Sequence, residues 1–281
     1  MIMEKVIKNI VFWGEDAFSN VVLTSLIQAG YNVKMVVTPL YDNLIYKRLE
    51  MTCTRNGIEF IREKPINSDK VYEKVKACEP DLCVICHFER LIKEPILSLP
   101  KYGFINVHPS LLPYYRGMAP QHWPIINGEK ESGITCHYVD EGTDTGNIIV
   151  QRIVPLTDDM YVSELQKVWL KEYSSLVVEA IECIKAEKPT RKQSHMSGSY
   201  YGKLKEEQCV VNTAGSVKDA YNLVRGVSLP YYGARCNNTI IYRAHIASED
   251  EIIDKKNTIA FYDGILVLDQ YKEITTRVYE I

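Results

Sequence analysis

The first hundred residues are punctuated by short, almost unbroken apolar runs: "KNIVFWG" at 8–14, "VKMVVTP" at 33–39, "GIEFIR" at 57–62, "DLCVICHF" at 81–88 and "GFINVH" at 103–108. Runs of this length rich in Val, Ile and Phe read as strands buried on both faces. The intervening stretches have helical spacing. "AFSNVVLTSLIQAG" places Val21, Val22, Ser25 or Leu26, and Ala29 at helical spacing and stops at Gly30. Tyr41–Arg55 reads as helix, Ser68 caps a helix running to Cys78, and Ile92–Leu99 is a short helical piece. Strands alternating with helices predict an α/β chain. Its core is an open, mostly parallel, Rossmann-like sheet with helices on both faces. Such sheets bind ligands outside the carboxyl ends of their strands.

Past residue 130, "GITCHYV" and "NIIVQRIVP" are two β-rich runs joined by "DEGTDTG". Val162–Lys188 predicts one long amphipathic helix that Pro189 stops. The polar, turn-rich "TRKQSHMSGSYYGK" reads as a linker. After it come a helix near Ser216–Gly226 and the runs "NNTIIYRAHIA" and "TIAFYDGILVLDQYKE". The expected organisation is a catalytic domain over 1–190 and a small C-terminal α+β or β-rich appendage over 191–281. The two β-rich runs of the appendage leave a homodimer open.

Several classes are excluded early. The formal net charge of −3 gives no global basic field for nucleic acid. The start "MIMEKVIKNIVFWG" lacks the apolar core of a leader, and no stretch has the length to span a bilayer. The expectation is a cytoplasmic protein with no membrane partner. Gly14 opens "GEDAFS", which lacks the later glycines of a dinucleotide fingerprint, and no Walker A sequence occurs. "CVICH" at 83–87 matches the spacing of haem attachment and of redox dithiols. It sits in a run that reads as a buried strand, and no second ligand pair completes a zinc site. The strand reading is preferred.

The chemistry concentrates at the end of the fifth run. Side chains on a strand alternate, so Asn106 and His108 project the same way and Val107 the other. Pro109 ends the strand there. An Asn amide can donate to a developing oxyanion, and a His moves protons near neutral pH. No nucleophile accompanies them, since Ser110 has alternated away beyond the proline. A carboxylate to orient the imidazole is sought among Asp140, Glu141 and Asp144 of "VDEGTDTG", where glycines permit close backbone approach. That loop does not have EF-hand spacing, and no His or Glu cluster makes it a metal site.

"NVHPSLLPYYRG…AP" followed by "GITCHYVDEGTDTGNII" resembles the folate-dependent formyltransferases, which move a formyl group from N10-formyltetrahydrofolate to an amine. The likeness is detailed over Ile10–Ile153 and fainter at "LVRGVSLPYYGAR". It implies that Asn106, His108 and Asp144 form the catalytic trio. It also implies that the pterin lies against Arg90, Leu91 and Ile92 and the Asp140–Glu141–Gly142 loop, with N10-formyltetrahydrofolate as co-substrate and no metal. In that scheme Asp144 favours the imidazolium and raises the His108 pKa. Met118 stands where the family often has a second basic residue after Arg-Gly.

Within the family, the appendage argues against a glycinamide ribonucleotide acceptor. The charge balance, the length and "LYDNLIYKRLE" in place of a Lys/Gly-rich run argue against methionyl-tRNA. The expected acceptor is the amino group of a nucleotide-linked (dTDP, UDP or GDP) sugar destined for surface polysaccharide. The methionyl-tRNA enzyme is the alternative, and a formyltetrahydrofolate hydrolase is a second. A nucleotide-sugar needs an aromatic or apolar wall and cations for its diphosphate. Among 19 tyrosines and few tryptophans, Trp123 is a candidate for the wall, and Arg116 and Arg225 for the cations.

Overall fold

The computed structural model describes residues 5–194, 197–251 and 254–274. The chain divides into two compact units. The first comprises Met1–Arg116, Gly133–Ile153 and Trp169–Tyr200; the second comprises Gly117–Ser132, Val154–Val168 and Tyr201–Ile281. The single cut expected at 190/191 differs from this partition, in which two earlier segments also belong to the second unit. Those segments are short and carry ordinary helix and strand signals, so no composition shift marks them. His195 and Met196 of the expected linker lie outside the described residues.

The first unit is built on a seven-stranded sheet. Its strands are β1 (Asn9–Gly14), β2 (Asn32–Pro39), β3 (Glu59–Glu63), β4 (Leu82–Cys86) and β5 (Phe104–His108), then, beyond the two-residue β6 (Arg116–Gly117), β7 (Glu131–Tyr138) and β8 (Ile148–Pro155). The spatial order is β3-β2-β1-β4-β5-β7-β8. β1 to β5 pair in parallel, and β7 runs antiparallel to β5. The chain leaves β1 outward to β2 and β3 and returns to β4 on the other side. The switch point therefore lies between β1 and β4, where doubly wound sheets open a crevice.

Strand alternation divides the core. Val11, Trp13, Met35, Val37, Cys83, Ile85 and Phe104 share one face with Val71 and Val75 of α3 (Asp69–Ala77). Trp13 meets Phe88 edge-on, with ring centroids 5.6 Å apart. Ile10, Phe12, Val36 and Val84 alternate to the other face and are buried. α1 (Ala17–Gln28) packs on β1, β2 and β4 and buries Val22, Leu23 and Leu26. Asp16 caps α1 by accepting the Ser19 N–H at 2.9 Å.

The strand reading of "CVICH" holds. Cys83 and Cys86 are fully buried in β4, and burial pushes both thiols far above their ordinary range. The helix predicted over Tyr41–Arg55 starts later, as α2 (Lys47–Asn56). Ile92–Leu99 reduces to one 3-10 turn at Ile96–Ser98. Beyond the four-residue α4 (Trp123–Ile126), α5 spans Val162–Lys185, ending three residues before the predicted stop at Lys188.

In the second unit, β10 (Ala234–Cys236), β11 (Thr239–Ile246), β13 (Gly264–Glu273) and β12 (Thr258–Phe261) form an antiparallel sheet in that order, downstream of the short β9 (Tyr200–Tyr201). "TIAFYDGILVLDQYKE", read as one run, is a hairpin turning at Tyr262–Asp263. α6 (Val217–Val227), capped by Ser216, packs Ala220, Val224 and Val227 with Ile241, Ala244 and Leu266. This is the expected α+β appendage. Among the described residues, no helix is long and apolar enough to cross a membrane, and no three His, Cys, Asp or Glu side chains gather as metal ligands.

Candidate active site

Asn106 and His108 end β5 beside β7, whose register sets His137 opposite Asn106 and Thr135 opposite His108. His108 is buried at 5% exposure. Its Nε2 lies 2.8 Å from the carbonyl oxygen of Tyr115. A carbonyl only accepts, so Nε2 carries the proton and Nδ1 of the neutral ring keeps its lone pair. Nδ1 is 3.7 Å from Oδ2 of Asp144. A lone pair facing a carboxylate at that distance gains nothing until a proton arrives on Nδ1.

Burial outweighs the Asp144 charge and the Tyr115 carbonyl, and holds the His108 pKa below the ordinary imidazole value. This corrects the expectation that Asp144 raises it. The carboxylate still favours the charged ring, but desolvation is the larger effect. His108 rests neutral at pH 7, as a base whose conjugate acid has a partner waiting.

The Asn106 amide nitrogen lies 3.3 Å from Oδ1 of Asp144 and 3.3 Å from Nε2 of His137. Nδ1 of His137 faces the carbonyl of Tyr138 at 2.7 Å and so carries that ring's proton, which leaves Nε2 to accept from Asn106. The amide is thus oriented with Nδ2 toward the centre of the group. His137 belongs to the site although sequence reading passed over it. Its parity within "GITCHYV" was visible, but the register between β5 and β7 was not.

The loop after β5 has a definite task. Ser110 Oγ donates to the Tyr114 carbonyl at 2.8 Å, Thr135 Oγ1 donates to the Ser110 carbonyl at 2.7 Å, and Gln151 Nε2 donates to the Leu112 carbonyl at 3.0 Å. These bonds fix a backbone in which Tyr115 takes φ +59°, left-handed and unfavourable for a tyrosine. That conformation aims its carbonyl at His108.

Asp144 also sits at positive φ, +56°. Its backbone carbonyl accepts from Arg116 Nε at 3.2 Å and from Gln193 Nε2 at 2.9 Å. A Cβ at Gly146 would lie 1.8 Å from the Tyr138 carbonyl oxygen, so only glycine lets the loop close there.

The remaining candidates separate. Arg116 is 2% exposed, and its guanidinium donates to Gln193 Oε1 at 2.8 Å and to backbone carbonyls. It braces the Asp144 loop from inside rather than offering an open cation. Arg225, in the second unit, is buried against the carbonyls of Thr157 and Met160 and the side chain of Asn222. Burial lowers its pKa. Trp123, also in the second unit, stacks on Tyr201 with centroids 4.8 Å apart.

Arg90 and Leu91 are exposed and Ile92 is buried. In the Asp140–Glu141–Gly142 turn, Asp140 Oδ1 accepts the Gly142 N–H at 3.1 Å and the Thr145 hydroxyl at 2.5 Å. Nearby, at the switch point, Asp16 pairs with His87 Nδ1 at 3.1 Å. Tyr173 on α5 meets His87 Nε2 at 3.1 Å. Burial alone would lower the His87 pKa; Asp16 outweighs it and the value rises.

Comparison with known proteins gives two sets of likenesses. The family described as Formyl transferase matches residues 8–181. Methionyl-tRNA formyltransferase from Acetivibrio thermocellus is 33% identical over 235 residues, covering 79% of this chain and 76% of that one. The Clostridium novyi protein of the same name is 29% identical over 283 residues, covering 93% and 91%. Among solved structures, WlaRD, a sugar 3N-formyl transferase crystallised with dTDP and 5-N-formyl-THF, superposes with TM-score 0.72. It shares 22% identity, with 97% of this chain and all of that one covered. The N-formyltransferase from Helicobacter canadensis, in complex with folinic acid and dTDP-3-aminofucose, gives TM-score 0.72 at 22% identity, with 95% and 100% coverage.

Proposed function

Because this chain belongs to the formyl transferase family, we propose that it moves the formyl group of N10-formyltetrahydrofolate to the amino group of a nucleotide-linked sugar. The observation that carries the chemistry is the convergence of Asn106, His108 and Asp144, with His137, at the end of β5. The amine nitrogen attacks the formyl carbon, and the carbonyl π pair moves to oxygen. Asn106 Nδ2–H donates to that oxyanion, giving up one of its two long contacts. His108 Nδ1 takes the proton from the attacking nitrogen, and Asp144 stabilises the resulting imidazolium. The oxyanion collapses, the bond from carbon to N10 breaks, and His108 returns the proton to N10. Oriented donors and a positioned base are the two effects this cradle supplies.

The folate's pterin is assigned to the backbone of Arg90–Leu91–Ile92 and the Asp140–Gly142 turn. For the acceptor, Asp and Glu outnumber Lys and Arg in the second unit. An RNA ligand would call for the opposite balance. The fold likeness to two sugar N-formyltransferases, crystallised with dTDP or a dTDP-sugar, supports the same acceptor class. A methionyl-tRNA acceptor is the second reading, favoured by relatives of that name at about 30% identity.

The test supplies N10-formyltetrahydrofolate and follows release of tetrahydrofolate with dTDP-, UDP- and GDP-linked amino sugars, and separately with charged initiator tRNA. Turnover with a sugar, lost in His108→Ala, is the expected result. Turnover with tRNA alone overturns the acceptor and leaves the chemistry. Release without any acceptor points to a hydrolase.

A further inference from the structure

Glu15 directly follows β1 at the switch point and is only 3% exposed. Its neighbour Asp16 already caps α1, so the local fold gives Glu15 no task. Burying a carboxylate is costly unless it accepts hydrogen bonds, and burial raises its pKa. Glu15 compensates through two partners distant in sequence. Oε1 accepts the backbone N–H of Glu89 at 2.5 Å, and Oε2 accepts the Tyr41 hydroxyl at 2.6 Å.

A second side chain acts a few residues further on. Asn67 Nδ2 donates to the Leu91 carbonyl at 2.9 Å, and its Oδ1 accepts the Lys93 N–H at 2.8 Å. One amide thus pairs with two backbone groups as a neighbouring strand would. The Ile92 side chain, 8% exposed, anchors the middle of the segment in the core.

Between these pins, among the described residues, the N–H groups of Arg90, Leu91 and Ile92 and the carbonyls of Arg90 and Ile92 have no partner within the chain. The result is a short run of open peptide donors and acceptors held at fixed spacing beside the crevice. Its complement is the edge of a planar heterocycle that alternates donors and acceptors, as the amino-oxo edge of a pterin does. A loop free to turn would lose binding energy in ordering that run.

We infer that Glu15 and Asn67 are positioning residues for the folate: they clamp the 89–93 backbone from its two ends so that the peptide groups between them meet the pterin. This rests on the assignment of the pterin to the 90–92 segment. Charge is not the point; acceptor geometry is. Glu15→Gln keeps an oxygen for the Glu89 N–H and can donate to the Tyr41 oxygen, so it substitutes for the native residue.

The experiment is calorimetric titration of the full chain with 5-formyltetrahydrofolate, a folate that undergoes no transfer. Thermal unfolding of each variant is measured alongside. Glu15→Leu and Asn67→Leu are each expected to weaken binding about tenfold or more, the loss of a well-placed hydrogen bond. Glu15→Gln is expected to bind within about threefold of wild type. Asn67 is exposed, so its variant folds even where Glu15→Leu does not. Leu91→Pro removes one open N–H between the pins and tests the underlying assignment. If Leu91→Pro binds like wild type, or wild type binds no folate, that assignment fails and the inference with it. If Leu91→Pro weakens binding while Asn67→Leu and any folded Glu15→Leu bind like wild type, the clamp alone is wrong. If Glu15→Gln is as weak as Glu15→Leu, acceptor geometry is not what Glu15 supplies and the inference is overturned.

Discussion

Two polar clusters line the same edge of the sheet and are built on opposite principles. At the end of β5, the contacts among Asn106, His137, Asp144 and His108 are long, at 3.3, 3.3, 3.5 and 3.7 Å. At the switch point, those of Glu15, Asp16 and His87 run from 2.5 to 3.1 Å. The two imidazoles differ to match. His108 is held neutral by burial, whereas His87 is drawn toward its charged form by Asp16. The groups to which the proposed reaction gives a proton or an oxyanion keep unspent hydrogen-bonding capacity. Groups that must hold still use theirs within the fold.

The contrast breaks most visibly in rate. His108→Ala should lower kcat about 10²- to 10⁴-fold, and Asn106→Ala about 10²- to 10³-fold, in steady-state release of tetrahydrofolate. A loss below tenfold for both would place the reacting groups elsewhere. In the proposed reaction the base is the neutral His108 ring, so the acid limb of kcat/KM should fall below pH 6.5, the ordinary imidazole value. A limb above that value would mean that Asp144, not burial, governs the ring.

The next effect is on stability. Arg116→Met leaves the Gln193 amide oxygen without its buried donor and the Asp144 carbonyl with the Gln193 amide in place of two donors. About 2–4 kcal/mol should be lost in denaturant unfolding, with a fall in kcat because Asp144 is no longer braced. Asp16→Ala removes the cap of α1 and the partner of His87, about 1–2 kcal/mol. Its pH dependence has a definite sign. A histidine whose folded pKa is raised contributes stability below pH 6.5 and loses it as pH rises through the folded value. The deficit of Asp16→Ala should therefore be larger at pH 6 than at pH 9, and the reverse trend would contradict a charged His87. Tyr41→Phe takes one donor from Glu15 and should cost only about 1 kcal/mol in the same unfolding assay.

The parallel strands were legible because each is buried on both faces and so is apolar throughout. "DLCVICHF" holds the whole of β4, Leu82–Cys86. Asn106 and His108 were legible because alternation along a single strand needs no partner. What stayed hidden depended on pairing between distant segments. His137 needs the β5–β7 register, and the Glu15 carboxylate reaches 74 residues along the chain to Glu89. "GEDAFS" lacks the later glycines of a dinucleotide fingerprint, and its acidic pair instead caps α1 and holds the Glu89 N–H. Arg116 and Arg225 read as ligand cations because sequence reports charge but not burial. In the fold, both are enclosed by carbonyls.

The chain changes allegiance between its two units at 116/117, 132/133, 153/154, 168/169 and 200/201. Neither unit can then be excised by truncation, and a single crossover cannot trade one appendage for another. A graft meant to replace the second unit must carry three separate stretches, one of which begins at the residue after Arg116. Diversification of such a chain is pushed toward point substitution and loop change rather than shuffling of modules. A ribosome also completes the first unit only at Tyr200, after two stretches of the second have already emerged.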